Sequence, residues 1–269
     1  MLFTDKHVFA TGALILATAC ANGSGDVLLN HWPLDDGNTY QRDGNTWVKD
    51  IVGGADGNVR DATVAGGSLR LDGAGDCMQV PGLRFPDSFA IEAVVRIDPR
   101  ARNIQTIIAN AGPTADTDGF KVFVNHHDTT DGAIGFESGN GIGYMGQQVF
   151  SPAGTFQCSD TDFQKVRVEV NQEEPLLERV RIFYNGQLVA TGCAADFARD
   201  NGRTDVGRML VTWYLWGEIA DLRVIPEPAT IALIAFGGMA LVHRRRSRAR
   251  GVRRPKQAGF SRDLQHQVS

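Results

Sequence analysis

The sequence predicts an all-β sandwich over residues 22–224, and three observations carry that prediction. Apolar and polar residues alternate with period two: Ile91, Ala93, Val95 and Ile97 interleave with Glu92, Val94 and Arg96, and Val166, Val168 and Val170 interleave with Arg167 and Glu169. Such alternation describes strands with one face on a core and the other in water. Asn185-Gly186 is a hairpin signal, because both central positions of a type I′ turn need positive φ. Gly, Asp and Asn punctuate the gaps, and no helical periodicity runs long enough to compete.

In chain order, strands are expected at Val27–Leu34, Ser68–Leu71, Ile91–Ile97, Ile104–Ala109, Gly119–Asn125 and Ala133–Glu137. A hairpin of 163–171 with 178–186 follows, and Glu218–Val224 closes the set. About ten short strands in one domain mean a sandwich or a barrel, and the sandwich is the expectation.

Both flanks read as routing segments. Val8–Ala19 is apolar apart from Thr11 and Thr18 and follows Lys6, as a signal peptide would. Small residues offer two cleavage registers, Ala17-Thr18-Ala19 and Ala19-Cys20-Ala21, so residues 1–21 are assigned as the leader. Cys20 after Ala19 also loosely resembles a lipobox, with Ala17 where Leu is usual. At the other end, Ile225-Pro226-Glu227-Pro228 precedes an apolar run from Ala229 to Val242, then His243-Arg244-Arg245-Arg246. Fourteen helical residues rise about 21 Å against a hydrocarbon core of about 30 Å, which suits a segment held briefly better than a permanent anchor. The arginines favour the cytoplasmic side. Residues 247–269 are polar and basic, the composition of a disordered tail.

Charge fits export of the middle. The chain carries −4, but residues 243–269 hold nine of its 27 Lys/Arg and one of its 31 Asp/Glu, leaving 18 against 30, or −12, elsewhere. An acidic body argues against nucleic acid as partner, since phosphate binding needs clustered cations.

Pro226-Glu227-Pro228, the apolar run and the Arg244-Arg245-Arg246 cluster, in that order, resemble the PEP-CTERM sorting signal over residues 225–246. The resemblance implies recognition by an exosortase-type membrane enzyme, a transient membrane-inserted stage, removal of the tail, and delivery to the bacterial cell surface or extracellular matrix. An ordinary membrane anchor is the plainer reading, and it does not need the tripeptide.

Five further landmarks follow one another: His31-Trp32-Pro33-Leu34-Asp35, Ser68-Leu69-Arg70-Leu71-Asp72-Gly73, Ser88-Phe89-Ala90-Ile91-Glu92, Val180-Arg181-Ile182-Phe183-Tyr184-Asn185-Gly186 and Gly217-Glu218-Ile219-Ala220-Asp221. Together they resemble the laminin-G-like, concanavalin-A-like jelly-roll domains of bacterial surface proteins. Val94 and Phe163-Gln164-Lys165 stand where those domains commonly carry Trp-containing segments. The resemblance implies non-catalytic binding of carbohydrate or surface-protein ligands, sometimes with a calcium ion; the candidate ligands here are Asp50, Asp56 and Asp221. Asp in such loops also serves simply as a turn former.

Relatives of this fold hydrolyse glycans with two nearby carboxylates. The nearest pair here, Glu218 and Asp221, is spaced by three, and strict alternation would put the two on opposite faces. Glu92 and Glu169 read as members of wetted faces. Trp213-Tyr214-Leu215-Trp216 offers flat faces for sugar stacking, with alternation setting Trp213 and Leu215 against Tyr214 and Trp216. His126-His127-Asp128 reads as a loop-end polar cluster. The rival functions are a glycoside hydrolase of the same architecture and a structural coat protein without a discrete ligand.

Past the leader, Cys77, Cys158 and Cys193 remain. Across the 163–171/178–186 hairpin, Cys158 and Cys193 fall near each other at the open end, which predicts a disulfide worth about 3–4 kcal/mol, with Cys77 left as the odd thiol.

Overall fold

A computed structural model describes residues 28–111, 118–140, 147–175, 178–199, 202–209 and 213–226. Alternating sequences of modest length form strands here because each can bury one face only against another sheet. In chain order the strands are β1 (Asn30–Pro33), β2 (Thr39–Arg42), β3 (Asn45–Val48), β4 (Gly57–Arg60), β5 (Thr63–Ala65), β6 (Ser68–Asp72), β7 (Cys77–Pro81), β8 (Ser88–Ile97) and β9 (Gln105–Ala111). They continue as β10 (Asp118–Val124), β11 (Ile134–Asn140), β12 (Gln147–Phe150), β13 (Gln164–Asn171), β14 (Val180–Tyr184), β15 (Gln187–Gly192), β16 (Arg203–Val206) and β17 (Trp216–Pro226). One 3-10 turn, Asp36–Asn38, is capped by the Asp35 carboxylate.

Two antiparallel sheets form a sandwich. Sheet I runs β15-β14-β13-β8-β17-β6-β5, with β1 also paired to β17; sheet II runs β12-β11-β10-β9-β16-β7-β4-β3-β2. The core lies between them, with Trp32, Leu69, Ile91, Val95, Val168, Ile219 and Leu222 from sheet I facing Met78, Val80, Ile108, Phe120, Val122 and Phe136 from sheet II. Trp32 is fully buried, and its indole N–H is satisfied by the Ala55 carbonyl at 2.8 Å. Phe120 is the hub of an aromatic cluster, with the rings of Phe85, Phe136 and Phe197 centred 4.9, 5.9 and 5.3 Å away.

The strand β17 organises sheet I. One edge pairs with β8 from Gly217 to Pro226; the other is shared by β6, opposite Trp216–Ile219, and β1, opposite Asp221–Val224. The first described strand is thereby tied to the last. Pro226 is the final residue of β17 and is buried opposite Phe89. The folded sheet therefore continues into the first residue of the Pro-Glu-Pro segment.

The β13–β14 hairpin forms in the expected register, Val166 opposite Tyr184 and Val170 opposite Val180, but the disulfide does not form. Cys158 and Cys193 are both free thiols, as is Cys77. The Asn185-Gly186 turn accounts for this correction. It sends the chain back along β15, so Gly192 pairs with Val180 at the start of β14, while Cys158 precedes β13 at the other end of the hairpin. A five-residue strand spans about 17 Å, against the roughly 7 Å limit between bridged Cα atoms.

Phe120→Ala should cost about 3–5 kcal/mol in a chemical-denaturation measurement, because four surrounding rings prevent the cavity from collapsing. A loss below about 1 kcal/mol would mean that the cluster is not packed as described.

Candidate functional site

The residues most suited to binding meet at the start of β17. Trp213 has φ 53°, a left-handed conformation that a bulky side chain rarely adopts. The strand does not begin until Trp216, so the expected alternation through 213–216 is corrected. Leu215 alone enters the core, while Trp213, Tyr214 and Trp216 all stay half-buried and line one cavity of about 360 Å³. Asp72, Arg102 and Asn103 add polar groups to that lining, and the volume falls within the usual range for small-ligand sites. The backbone is held from behind by Gln105, whose side-chain oxygen accepts from the Trp216 N–H at 2.8 Å.

Cations support the rings. The Arg100 guanidinium lies 4.8 Å from the Trp216 ring centre, fixed by a two-point contact with Asp98 (2.9 and 2.7 Å). That contact holds the Asp98 carboxyl at about 2, well below the ordinary range. Lys121 Nζ stands 4.1 Å from the Trp213 ring centre and 2.8 Å from the Glu137 carboxylate, with both charged side chains almost fully buried. Among the described residues, Arg102 is exposed and its guanidinium has no protein partner, which leaves a donor fork at the cavity mouth. Sequence reasoning missed Lys121, Glu137 and Arg102. A signal existed for the first two: a lone Lys in Gly119-Phe120-Lys121-Val122-Phe123-Val124 and a lone Glu in Ile134-Gly135-Phe136-Glu137 are opposite each other in the β10–β11 register.

Elsewhere on sheet II, Asp205 is buried between Arg203 (3.0 Å) and Arg208 (3.3 Å), and burial pushes its carboxyl up against the opposing pull of both arginines. The loop between β10 and β11 carries the histidines. His126 stacks on Phe150 and contacts Asp131 at 2.5 Å, while His127 meets the Trp213 ring edge-on.

The three calcium candidates are placed as follows. Asp50 and Asp56 adjoin, but Asp50 accepts five N–H donors, from the Asn30 side chain and from the backbone of His31, Val52, Gly53 and Ala55. Burial alone would raise its carboxyl; these donors outweigh that and lower it. Asp56 accepts the Asp50 N–H and the Tyr40 hydroxyl. Asp221 stands apart from this loop, against His31 Nε2 (2.7 Å) and Arg223 (2.7 Å). Calcium needs six to eight oxygen ligands, and these carboxylates are already committed to N–H donors. The donor set does not fit the ion, and no group of three acidic, His or Cys residues suited to a metal occurs among the described residues.

On the outer face of sheet I, a bulge corrects the expected parity. The register shifts between Ile219 and Asp221, so Glu218 pairs opposite Arg96 and Asp221 opposite Val94, both on the outward face. Glu218 is held by Arg96 (2.6 Å) and by the Ser68 hydroxyl (2.6 Å). Burial would raise its carboxyl, yet these contacts bring it below the ordinary value, the wrong direction for a general acid. Glu92 is likewise not a wetted residue: it is buried under Lys165 (2.7 Å), Arg167 (3.7 Å) and Arg223 (3.8 Å).

Of the sorting residues, Pro226 is described; Glu227, Pro228, Arg244, Arg245 and Arg246 lie outside the described residues, as do the leader 1–21, Cys20, the apolar run 229–242 and the tail 247–269. Among the described residues no helix is long and apolar enough to cross a membrane.

Comparison with known proteins identifies the C-terminal signal. Residues 224–247 match the PEP-CTERM protein-sorting motif, which implies export through an exosortase system and sorting to the surface or exterior. No curated protein matches the chain. Among solved structures, the binding domain of botulinum neurotoxin serotype D aligns with a TM-score of 0.50 at 12% identity, covering 79% of this chain and 51% of that one. A Trypanosoma rangeli sialidase aligns at 0.49 with 15% identity, covering 74% of this chain and 30% of the sialidase, so the match spans under a third of that enzyme. Domain 4 of AbnA, an extracellular GH43 arabinanase from Geobacillus stearothermophilus solved with arabinotriose, aligns at 0.48 with 16% identity, covering 75% and 93%. At these identities the likeness is one of fold.

The Glu218 environment has a pH consequence. Its folded-state carboxyl titrates below that of an ordinary glutamate, so its contribution to stability is complete above the ordinary value of about 4.3 and is lost as pH falls through the lower folded value. The stability gap between the native chain and Glu218→Gln should be constant above about pH 5 and shrink below about pH 4 in urea titrations. A gap that widens on acidification would instead mark a raised, acid-type carboxyl.

Proposed function

We propose that this chain is an exported surface or matrix protein whose sandwich binds carbohydrate without catalysis, at the cavity of Trp213, Tyr214 and Trp216. One observation carries the reading: three aromatic rings converge on a single cavity with the exposed Arg102 guanidinium, which has no partner among the described residues. Aromatic faces bury the apolar faces of sugar rings, and a guanidinium fork donates to hydroxyl or carboxylate oxygens. The ring faces are held by Arg100 and Lys121, so little freedom is lost on binding. The absence of catalysis is supported by the lowered Glu218 carboxyl and by the arginines that neutralise Glu92 and Glu218. Export follows the sorting motif, with an exosortase-type enzyme as the processing partner and a membrane-inserted stage for residues 229–242 before removal of the tail. Calcium has no part in this reading, because the Asp50 carboxylate is saturated by N–H donors.

A glycan array probed with the exported chain tests it. Binding should appear with native protein, persist in EDTA, and fall by about tenfold in Trp213→Ala and in Arg102→Ala, the loss of about 1.4 kcal/mol from one stacking or fork contact. A blank array, or binding indifferent to both substitutions, would contradict the assignment.

A further inference from the structure

The described chain enters and leaves the sandwich at one end. Leu29 N–H donates to the Val224 carbonyl at 2.9 Å, Asn30 pairs with Val224, and β17 stops two residues later at Pro226. The 50–54 loop is built onto the same end. Ile51 N–H donates to the His31 carbonyl at 2.9 Å, and a Cβ on Gly53 would lie 2.4 Å from the Leu29 carbonyl oxygen. The five N–H donors gathered by Asp50 make this loop a braced structure, and what it braces is unusual. Ile51 and Val52 are held out into solvent, 52% and 49% exposed, adjacent to each other and beside the exposed Lys49. The other two exposed large hydrophobics among the described residues, Phe163 and Leu188, are single and lie elsewhere on sheet I's edge strands and loops.

Chain length states what faces this end. Two residues, spanned by three Cα–Cα steps, separate Pro226 from the first residue of the apolar run, Ala229, and the steps reach at most about 11 Å. The headgroup layer of one leaflet is itself about 5–8 Å thick. When residues 229–242 occupy the hydrocarbon, β17 has no slack to hold the sandwich clear of the lipid. We propose that the Ile51–Val52 tip is a membrane-seating element, inserted at the headgroup–acyl boundary during the sorting stage, with the exit end of the sandwich turned toward the bilayer. Apolar residues flanked by a cation are the chemistry of interfacial contact. The inference rests on the membrane-inserted stage proposed above and adds an orientation: the motif is presented in the interfacial layer, and the aromatic cavity, at the opposite end of β17, is turned to the exterior.

The test uses the full chain in phosphatidylcholine–phosphatidylglycerol vesicles, with and without brominated acyl chains as quencher. Tryptophan is added at Val52→Trp or, on the far edge strand, at Leu188→Trp, and the native emission is subtracted. The emission added by Val52→Trp should shift to the blue and be lost to the bromolipid, while that added by Leu188→Trp should be unaffected. If the chain floats with the vesicles but the Val52→Trp emission is not quenched, or both sites are quenched alike, the seating proposal fails while the membrane stage stands. A blue shift that depends on protein concentration without quenching would overturn it in favour of a contact between copies of the chain. A chain that does not float removes the membrane stage and this inference together.

Discussion

The β17 ladder is the constraint on which the rest of the molecule depends. Nine residues of the strand pair with β8, and its second edge is divided between β6 and β1, so this strand holds the two halves of sheet I together and ties the first described strand to the last. Its start and its finish have different duties. Trp216 opens the strand at the aromatic cavity; Pro226 closes it as the first residue of the sorting tripeptide. The bulge after Ile219 lets one strand serve both β6 and β1 and turns Glu218 and Asp221 to the same face.

That face shows how an acidic domain manages charge. On sheet I the carboxylates lie close to the sheet and the cations cap them: Glu92 beneath Lys165, Arg167 and Arg223, and Glu218 beneath Arg96 and Arg70. Networked, partly buried pairs of this kind hold neighbouring strands in register more than any single exposed pair would. The same pairing lowers the Glu218 carboxyl, the opposite of the raised value a general acid uses. Chemistry at the aromatic corner runs the other way. There Arg100 and Lys121 stand over the Trp216 and Trp213 rings, and Arg102 lies exposed at the same cavity.

Strands with clean alternation were legible from residues alone: β8 and β13 stand where period two puts them, and Asn185-Gly186 makes the turn it encodes. The short strands β2 to β5 and β16 were not, because Thr-Tyr-Gln-Arg or Arg-Thr-Asp-Val has too few apolar residues to show a period; neighbours in the sheet decide their conformation. Parity reasoning failed where a single residue was out of phase. Ala220 in the bulge reversed the Glu218–Asp221 relation, and the left-handed Trp213 turned three rings to one cavity. The cysteine pairing failed for a related reason: strand 178–186 was extended past the very turn that ends it. Lys121 and Glu137 were hidden by sequence distance, since only the β10–β11 register brings them opposite.

Folded sheet runs to the first residue of the sorting motif. Native-state hydrogen exchange on the full chain tests it most directly. The amides of Val224 and Ile225 should be protected to the same degree as that of Ile219, all three opening only with the whole sandwich. Protection that decays from Leu222 onward, leaving a frayed linker before Pro226, would contradict it.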